Sequence, residues 1–144
     1  MLPAGGAEGV FIFNVWDKIE HNEFADTVTT ALASVFPDDP PRFMARTPHG
    51  YHDRVQITRD LAHGGFTALP QIDTVTARSR ARSARDVAIA YCQGTPLRSE
   101  IETRDATRLA EATDVAAEAI ARRFGSGAVE GKIQAHVVTI GVGR

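Results

Sequence analysis

The sequence is 144 residues long, enough for one domain with a substantial core. Its composition is that of an ordinary globular protein, with 43% hydrophobic and 24% charged residues and a formal net charge of -2. This balance argues against a nucleic-acid-binding surface and against a disordered tail. No apolar run approaches the roughly 18 residues that a membrane-spanning helix needs, so we expect no membrane segment.

The first predicted element is an uninterrupted apolar strand at residues 10–16, VFIFNVW. A turn, LPAGG at residues 2–6, precedes it. Strands that are covered on both faces lack the alternation of apolar and polar residues that surface strands show. The pattern therefore predicts a strand in the interior of a sheet, buried on both faces.

Helices and a polar loop follow this strand. Apolar residues recur at helical spacing over residues 24–36, after a candidate N-cap at Asn22, and the PDDPP stretch ends that helix. The loop RFMARTPHGYHD comes next. A short helix is predicted at residues 55–62, because Gly64 and Gly65 follow as a typical helix end.

The remaining chain alternates between strands and helices. Strands are predicted at residues 66–77 and 132–140, and helices at residues 83–93 and 105–123, with a further helix beginning at Thr95-Pro96. Helices between strands indicate the α/β class. We expect a single domain, over the whole chain, with a thin sheet of about three strands.

The loop between the first two helices carries the most chemistry-bearing side chains: His49, Tyr51, His52 and Asp53. A His-x-x-His pair can bind zinc, but no well-spaced third ligand is found, so we expect no metal. A histidine here could act as a general base or could shape a pocket beside Tyr51. The alternative is a solvated loop in which Thr-Pro and His-Gly only form turns.

Other features have ordinary structural interpretations. The GSGAVEG stretch at residues 125–131 follows a helix and precedes a strand, the reverse of a phosphate-binding loop, and so predicts a turn. Cys92 has no activating neighbour in sequence and is interpreted as a small buried side chain. His136 is interpreted as a residue on one face of the third strand. A solvated face is the expected role of four arginines, Arg78, Arg80, Arg82 and Arg85.

Several segments together resemble one family. LPAGGAEGVFIFNVWD, FPDDPPRFMARTPHGYHD, DLAHGGF and AYCQGTPLR occur in this order. They resemble, over nearly the whole chain, the C-terminal half of class I S-adenosylmethionine-dependent methyltransferases of the small-molecule, ubiquinone-biosynthesis-like type. LPAGG is similar to the turn before the family's fifth strand, with Ala4 in place of a glycine. Gly64-Gly65-Phe66 resembles the step into the sixth strand, and residues 132–140 resemble the seventh.

This resemblance implies a partial Rossmann-like methyltransferase fold with helical insertions. Its last strand would be antiparallel and would lie between the other two. Asn14, Trp16 and Asp17 would lie at the carboxyl end of the fifth strand, where ligands bind in open α/β sheets. The implied substrate-binding residues are Asn14, Trp16, His49, Tyr51, His52 and Tyr91; catalytic residues are left unassigned.

The resemblance also implies the cofactor S-adenosylmethionine. The family's glycine-rich loop and its ribose-binding acidic residue both precede the fifth strand, and no residue of this sequence matches them. We therefore assign no cofactor-binding residue. We expect the isolated chain neither to bind the cofactor tightly nor to transfer methyl groups.

Three functions remain open. The chain could be the substrate-side half of a small-molecule methyltransferase, from a truncated or split gene, whose partner supplies the N-terminal half along the strand from Val10 to Trp16. It could be a non-catalytic binding module that forms homo-oligomers through the same strand. It could also be a stand-alone enzyme with a pocket around His49 and His52. The single cysteine and a poor signal-peptide pattern lead us to expect a cytoplasmic protein.

Overall fold

The structure is a computed structural model, and it describes residues 9–143. Three strands and six α-helices form an α/β arrangement in these residues. The predicted turn at residues 2–6 lies outside the described part. In chain order the elements are β1 (Gly9–Trp16), α1 (Glu23–Val35), α2 (Phe43–Arg46), α3 (Arg54–His63), β2 (Gln71–Ala81), α4 (Ala84–Gly94), α5 (Leu97–Asp105), α6 (Leu109–Phe124) and β3 (Val129–Val142).

The three strands form one sheet in the order β1-β3-β2. The last strand lies in the middle and is antiparallel to both neighbours, with Ile140 opposite Phe11 and His136 opposite both Val15 and Thr74. The prediction of about three strands with an antiparallel last one is confirmed. Because β3 runs in reverse, β1 and β2 end at the side of the sheet where β3 begins.

The sheet has one covered face and one open face. Ile57 and Leu61 of α3 pack against Val138 and Ile140 of β3 and form a small buried core. Asp53 begins α3, and its side chain accepts hydrogen bonds from the backbone N–H groups of the next turn. We call this side the covered face. The opposite side, the open face, carries every second residue of each strand, and the bundle reaches it only at the start of β3, where Phe24 of the helix α1 lies against Gly131.

The prediction that β1 is buried on both faces is wrong for the described residues. The residues of β1 are largely exposed: the exposed fraction is 60% for Ile12 and 42% for Trp16. The physical reason is that β1 pairs along one edge only, with β3, and that Ile12 points to the open face. An uninterrupted apolar pattern indicates that a strand is suited to burial. The pattern does not identify the part of the protein, or the partner, that would cover the strand.

The remaining five helices form a bundle beyond the end of the sheet. In α1 the apolar stripe includes Phe24, Val28 and Leu32, all buried, as helical spacing predicts. The stripe packs with Ala116 and Ile120 of α6, and α4 and α5 complete the same core. The bundle therefore lies at the carboxyl ends of β1 and β2.

The boundaries of two strands differ from prediction. β2 begins at Gln71 rather than Phe66, since Pro70 lacks the N–H group that a strand ladder needs. β3 extends beyond residues 132–140 at both ends. Of the helices described, none has both the length and the apolar character required to cross a bilayer.

Candidate functional site

A polar cluster occupies the end of β1. Asp17, the first residue after the strand, is 8% exposed, and its backbone N–H donates to the Gln134 carbonyl at 3.0 Å. Its carboxylate accepts from Lys18 N–H at 2.7 Å and from Gln134 Nε2 at 2.6 Å, and His136 Nε2 lies 3.3 Å from Oδ1. A buried carboxylate is costly unless donors surround it, and here both oxygens have donors.

His136 connects Asp17 to β2. Its ring is 5% exposed, with Nε2 directed at Asp17 and Nδ1 at 2.9 Å from Thr74 Oγ1. Nδ1 and the Thr74 hydroxyl are joined by a hydrogen bond. The three side chains form a chain from Thr74 through His136 to Asp17 across the covered face.

The environment keeps Asp17 ionised. Burial raises the pKa of this carboxyl, but hydrogen bonds from Gln134 and Lys18 and the nearby His136 outweigh burial and hold the pKa below its usual value of 3.8. Asp17 therefore carries a negative charge at neutral pH, inside a nearly closed part of the molecule.

His49 lies on the other side of Asp17. It is 5% exposed, its Nδ1 lies 2.9 Å from the Asp17 carbonyl oxygen, and its ring is 5.8 Å from the Trp16 ring. Because a carbonyl only accepts, Nδ1 donates, and Nε2 of the neutral ring keeps a lone pair. Burial lowers the pKa of His49 and outweighs the opposite effect of Asp17, so the ring is neutral at pH 7.

The loop that carries His49 has a defined conformation. The His49 N–H donates to the Met44 carbonyl at 2.9 Å. A Cβ atom at Gly50 would lie 2.0 Å from the Arg46 carbonyl oxygen, so only glycine fits there. The sequence HG thus provides a tight backbone approach that holds the imidazole against Trp16.

Asn22 closes the cluster. It lies at the predicted N-cap position of α1, but its side chain makes no capping hydrogen bond. Instead Oδ1 accepts from the Gln134 N–H at 3.0 Å, and Nδ2 donates to the Asp17 carbonyl at 3.2 Å. This amide and the neighbouring Glu23 carboxylate, which accepts from the Lys132 N–H at 2.7 Å, attach the first turn of the bundle to the sheet.

The sequence-predicted site residues separate into several places. Asn14 and Trp16 lie together on the open face, beside a hollow of about 280 Å³. His49 is buried behind Trp16. The hollow is mainly apolar and is completed by residues of β2 and β3, namely Val75, Ala77, Ile133, Gln134, Ala135 and Val137.

His52 lines a second hollow, of about 510 Å³, on the covered face. We call it the Asp17 hollow, because the carboxylate and His136 both border it. Its other residues come from the start of α3 and from the sheet: Lys18, Asp53, Arg54, Val55, Thr74 and Gln134.

The two tyrosines lie away from these hollows. The Tyr51 hydroxyl donates to Asp60 of α3, and its pKa is raised to about 12 by burial and by that carboxylate. It borders a small aromatic hollow with Phe11 and Phe13. Tyr91 lies in α4 and packs against the bundle core, where burial raises its pKa. The structure therefore brings Trp16 beside both Asn14 and His49, and it does not bring the tyrosines to them.

Other chemistry-bearing residues offer little in the described part of the chain. Residues 9–143 contain no group of three side chains arranged to bind a metal ion. Cys92 is buried, as predicted, and burial raises its pKa to about 11, so the thiol stays protonated. The arginines at the end of β2 pair with acidic neighbours, as Arg78 and Arg80 do with Glu130.

Sequence reasoning missed most members of the polar cluster. Thr74, Asn22, Gln134 and His136 each have an ordinary local interpretation, and only the strand register places them together. One signal was available: His136 occupies the same face of β3 as the buried Val138 and Ile140. A histidine on an apolar face requires polar partners.

Comparison with known proteins does not identify a family. No protein-family model matches the chain, and no curated protein matches it significantly. The function is therefore inferred from the fold and the site.

Proposed function

We propose that this chain is the substrate-side half of an S-adenosylmethionine-dependent small-molecule methyltransferase with a partial Rossmann-like fold. The observation that carries the proposal is the strand order β1-β3-β2 with a reversed central strand. It agrees with the order of the fifth, seventh and sixth strands in the methyltransferase family that the sequence resembles.

The position of the bundle supports the same proposal. Ligands of open α/β sheets bind beyond the carboxyl ends of the strands. The polar cluster of Asp17, His49 and His136 lies at this end, and the inserted helices lie beyond it. Buried polar groups that cross-link a strand end to an insertion would make a rigid pocket wall.

The open face also agrees with a half-domain. Ile12, Trp16 and Val75 are 60%, 42% and 49% exposed on the same side of the sheet. In a complete domain of this family the other half would lie along the free edge of β1, beside these exposed residues. Three exposed apolar residues next to one another indicate a surface that is covered by another protein segment or by a partner.

The hollow beside Asn14 and Trp16 does not fit the cofactor. It contains no carboxylate that could accept hydrogen bonds from ribose hydroxyls. Methyl transfer depends on holding donor and acceptor in line, so both half-sites are required. This chain would supply the acceptor side only, and the cofactor side would come from a polypeptide segment that carries the family's first four strands.

The test is complementation. We expect calorimetry to show no tight S-adenosylmethionine binding to residues 1–144 alone. We expect stoichiometric binding after a polypeptide with the family's first four strands is added, and native mass spectrometry should show a one-to-one complex. Ile12→Lys should block the complex, whereas Val55→Lys, at an exposed apolar position of α3, should not. Tight cofactor binding by the isolated chain, or no complex at micromolar concentration, contradicts the proposal.

A second candidate function is an assembly module. The edge strand β1, GVFIFNVW, has no charged residue and no proline, the features that usually protect an exposed edge. Under this alternative a second copy pairs with β1, and light scattering gives a dimer or larger. Ile12→Lys shifts that assembly towards monomer. A monomeric mass for the unmodified chain at micromolar concentration contradicts it.

A further inference from the structure

The small hollow beside Tyr51 lies on the covered face, away from the carboxyl ends of the strands. Phe11, near the start of β1, and Phe66, just after α3, both border it. Because ligands of open α/β sheets bind beyond the carboxyl ends, this hollow is separate from the acceptor side of the proposed methyltransferase. We call it the aromatic hollow, and its lining consists of Phe11, Phe13, Tyr51, Asp60, Leu61 and Phe66.

Three phenylalanine rings form one aromatic surface in this hollow. The centroid of the Phe11 ring lies 5.2 Å from that of Phe13 and 5.7 Å from that of Phe66. Phe13 and Phe66 pack against the small buried core under α3, whereas Phe11 is 43% exposed. The aromatic surface is therefore supported by the core on one side and accessible to a ligand on the other.

One carboxylate borders this surface. Among the described residues that line the hollow, only Asp60 is charged. Its Oδ2 accepts from the Tyr51 hydroxyl, and its Oδ1 accepts from Gln56 Nε2 at 2.6 Å. These hydrogen bonds hold the pKa of Asp60 below its usual value of 3.8, with smaller contributions from His63 and Arg59, neither of which lines the hollow. A negative charge fixed beside aromatic rings favours a cationic ligand.

The lining also distinguishes between kinds of cation. A primary ammonium group loses hydrogen bonds to water when it enters an aromatic site, and the rings supply no acceptors in return. A quaternary ammonium group has no N–H to satisfy, and its methyl groups can pack on ring faces. Pockets for drug-sized ligands measure about 300–1,000 Å³. The aromatic hollow, at about 200 Å³, suits a smaller group.

We propose that the aromatic hollow binds a small quaternary ammonium cation. Its methyl groups pack on the rings of Phe11, Phe13 and Phe66, and its charge lies beside the Asp60 carboxylate. The proposal is independent of the proposed function, because this binding requires neither a methyl donor nor the cofactor-side half.

The test titrates the full chain with choline and with two matched probes at constant ionic strength. Choline should shift the NMR signals of the Phe11 and Tyr51 rings saturably, with a dissociation constant on the order of 1 mM. In the neutral isostere of choline a carbon atom replaces the nitrogen, and we expect it to bind about fivefold more weakly for lack of charge. Ethanolamine keeps the charge but lacks the methyl groups, and it should also bind about fivefold more weakly.

Variants locate the site. Asp60→Asn keeps an oxygen that can accept from Tyr51, and it should weaken choline binding about threefold without affecting the neutral isostere. Asp73→Asn removes the same charge from the open face of β2 and is the control, which should have no effect. Phe11→Leu keeps an apolar side chain at a half-exposed position, so the chain should fold. It should weaken choline binding about threefold and leave the isostere nearly unchanged.

Equal binding of choline and its neutral isostere overturns the proposal, as does the absence of a saturable shift up to about 50 mM choline. Equal effects of Asp60→Asn and Asp73→Asn also overturn it. These outcomes leave the complementation experiment untouched, because cofactor binding by the assembled halves is measured without choline.

Discussion

The helical bundle and the sheet differ in how completely they are covered. In the bundle, Leu32, Ile101 and Ile120 are fully buried in one continuous core. In the sheet, Val138 and Ile140 are buried under α3, whereas Ile12, Trp16 and Val75 of the open face are exposed. The helices of the bundle bury one another's apolar side chains. The sheet has its apolar side chains buried mainly on the covered face.

This difference indicates where the molecule needs a partner. Apolar area that is removed from water contributes about 25 cal/mol per Å² to stability, and exposed area contributes nothing until something covers it. The bundle is therefore expected to be stable in the isolated chain. The open face is expected to gain its contribution on association.

The largest expected effect on stability is the contrast between an isoleucine-to-alanine change in the bundle core and the same change on the open face. Ile120→Ala should lower the free energy of unfolding by about 2–5 kcal/mol, because it leaves a cavity in the bundle core. Ile12→Ala on the open face should change it by less than about 0.5 kcal/mol in the monomeric chain. Urea denaturation of both variants measures the contrast. Similar losses for the two would show that the open face is already covered in solution.

Gly50 tests the connection between the two regions. Gly50→Ala places a Cβ atom 2.0 Å from the Arg46 carbonyl oxygen and should cost about 1–3 kcal/mol of stability. It should also displace His49 from the Asp17 carbonyl, which NMR of the ring would report. Gly127→Ala is the control, since its Cβ would meet nothing within 4 Å. A Gly50 variant as stable as this control would contradict the described loop.

The two faces of the sheet can be compared with one conservative change. Val138→Thr buries a hydroxyl on the covered face and should cost about 1–3 kcal/mol. Val75→Thr on the open face, where the side chain is 49% exposed, should be nearly neutral. Thermal unfolding of both variants gives the comparison. A substantial loss for Val75→Thr would mean that this face is buried in an assembly.

The smallest expected effect is a pH dependence of folding stability that comes from His49. The folded chain holds His49 neutral, with a pKa below its usual value of 6.5, because the ring is buried. The unfolded chain therefore binds more protons as the pH falls through 6.5, and folding stability decreases until the pH drops below the lowered pKa. His49→Gln should remove this part of the pH dependence. Unfolding measured between about pH 8 and pH 5 checks it, and an unchanged slope in the variant would contradict the assignment.

Much of the fold could be predicted from local patterns. The stripe of α1, the Gly64 end of α3 and the Ser83 start of α4 all correspond to features of the structure. Each depends on a few neighbouring residues, so a single sequence contains the information. Asp105, predicted to cap the long helix, instead caps a short 3-10 helix at residues 106–108, and α6 begins after Arg108. Strand limits were less predictable, because the extent of β3 depends on the partners that it meets.

The site was predictable only in part. Trp16 and His49 were expected on the same wall, and their rings are in contact. His136 and Thr74 lie 62 residues apart in sequence, and nothing local to either residue connects them. Asn22 shows the same difficulty, since its N-cap position was predicted while its side chain binds β3.

The sequence by itself determined the helices, the presence of three strands and the apolar character of β1. These follow from periodicity and from capping residues, which act over a few positions of the chain. Only the tertiary structure decided that Thr74, His136 and Asp17 meet on one face and that most of the other face stays open. Those outcomes depend on strand register and on which surfaces are covered, because hydrogen-bonded pairing joins residues that are distant in sequence.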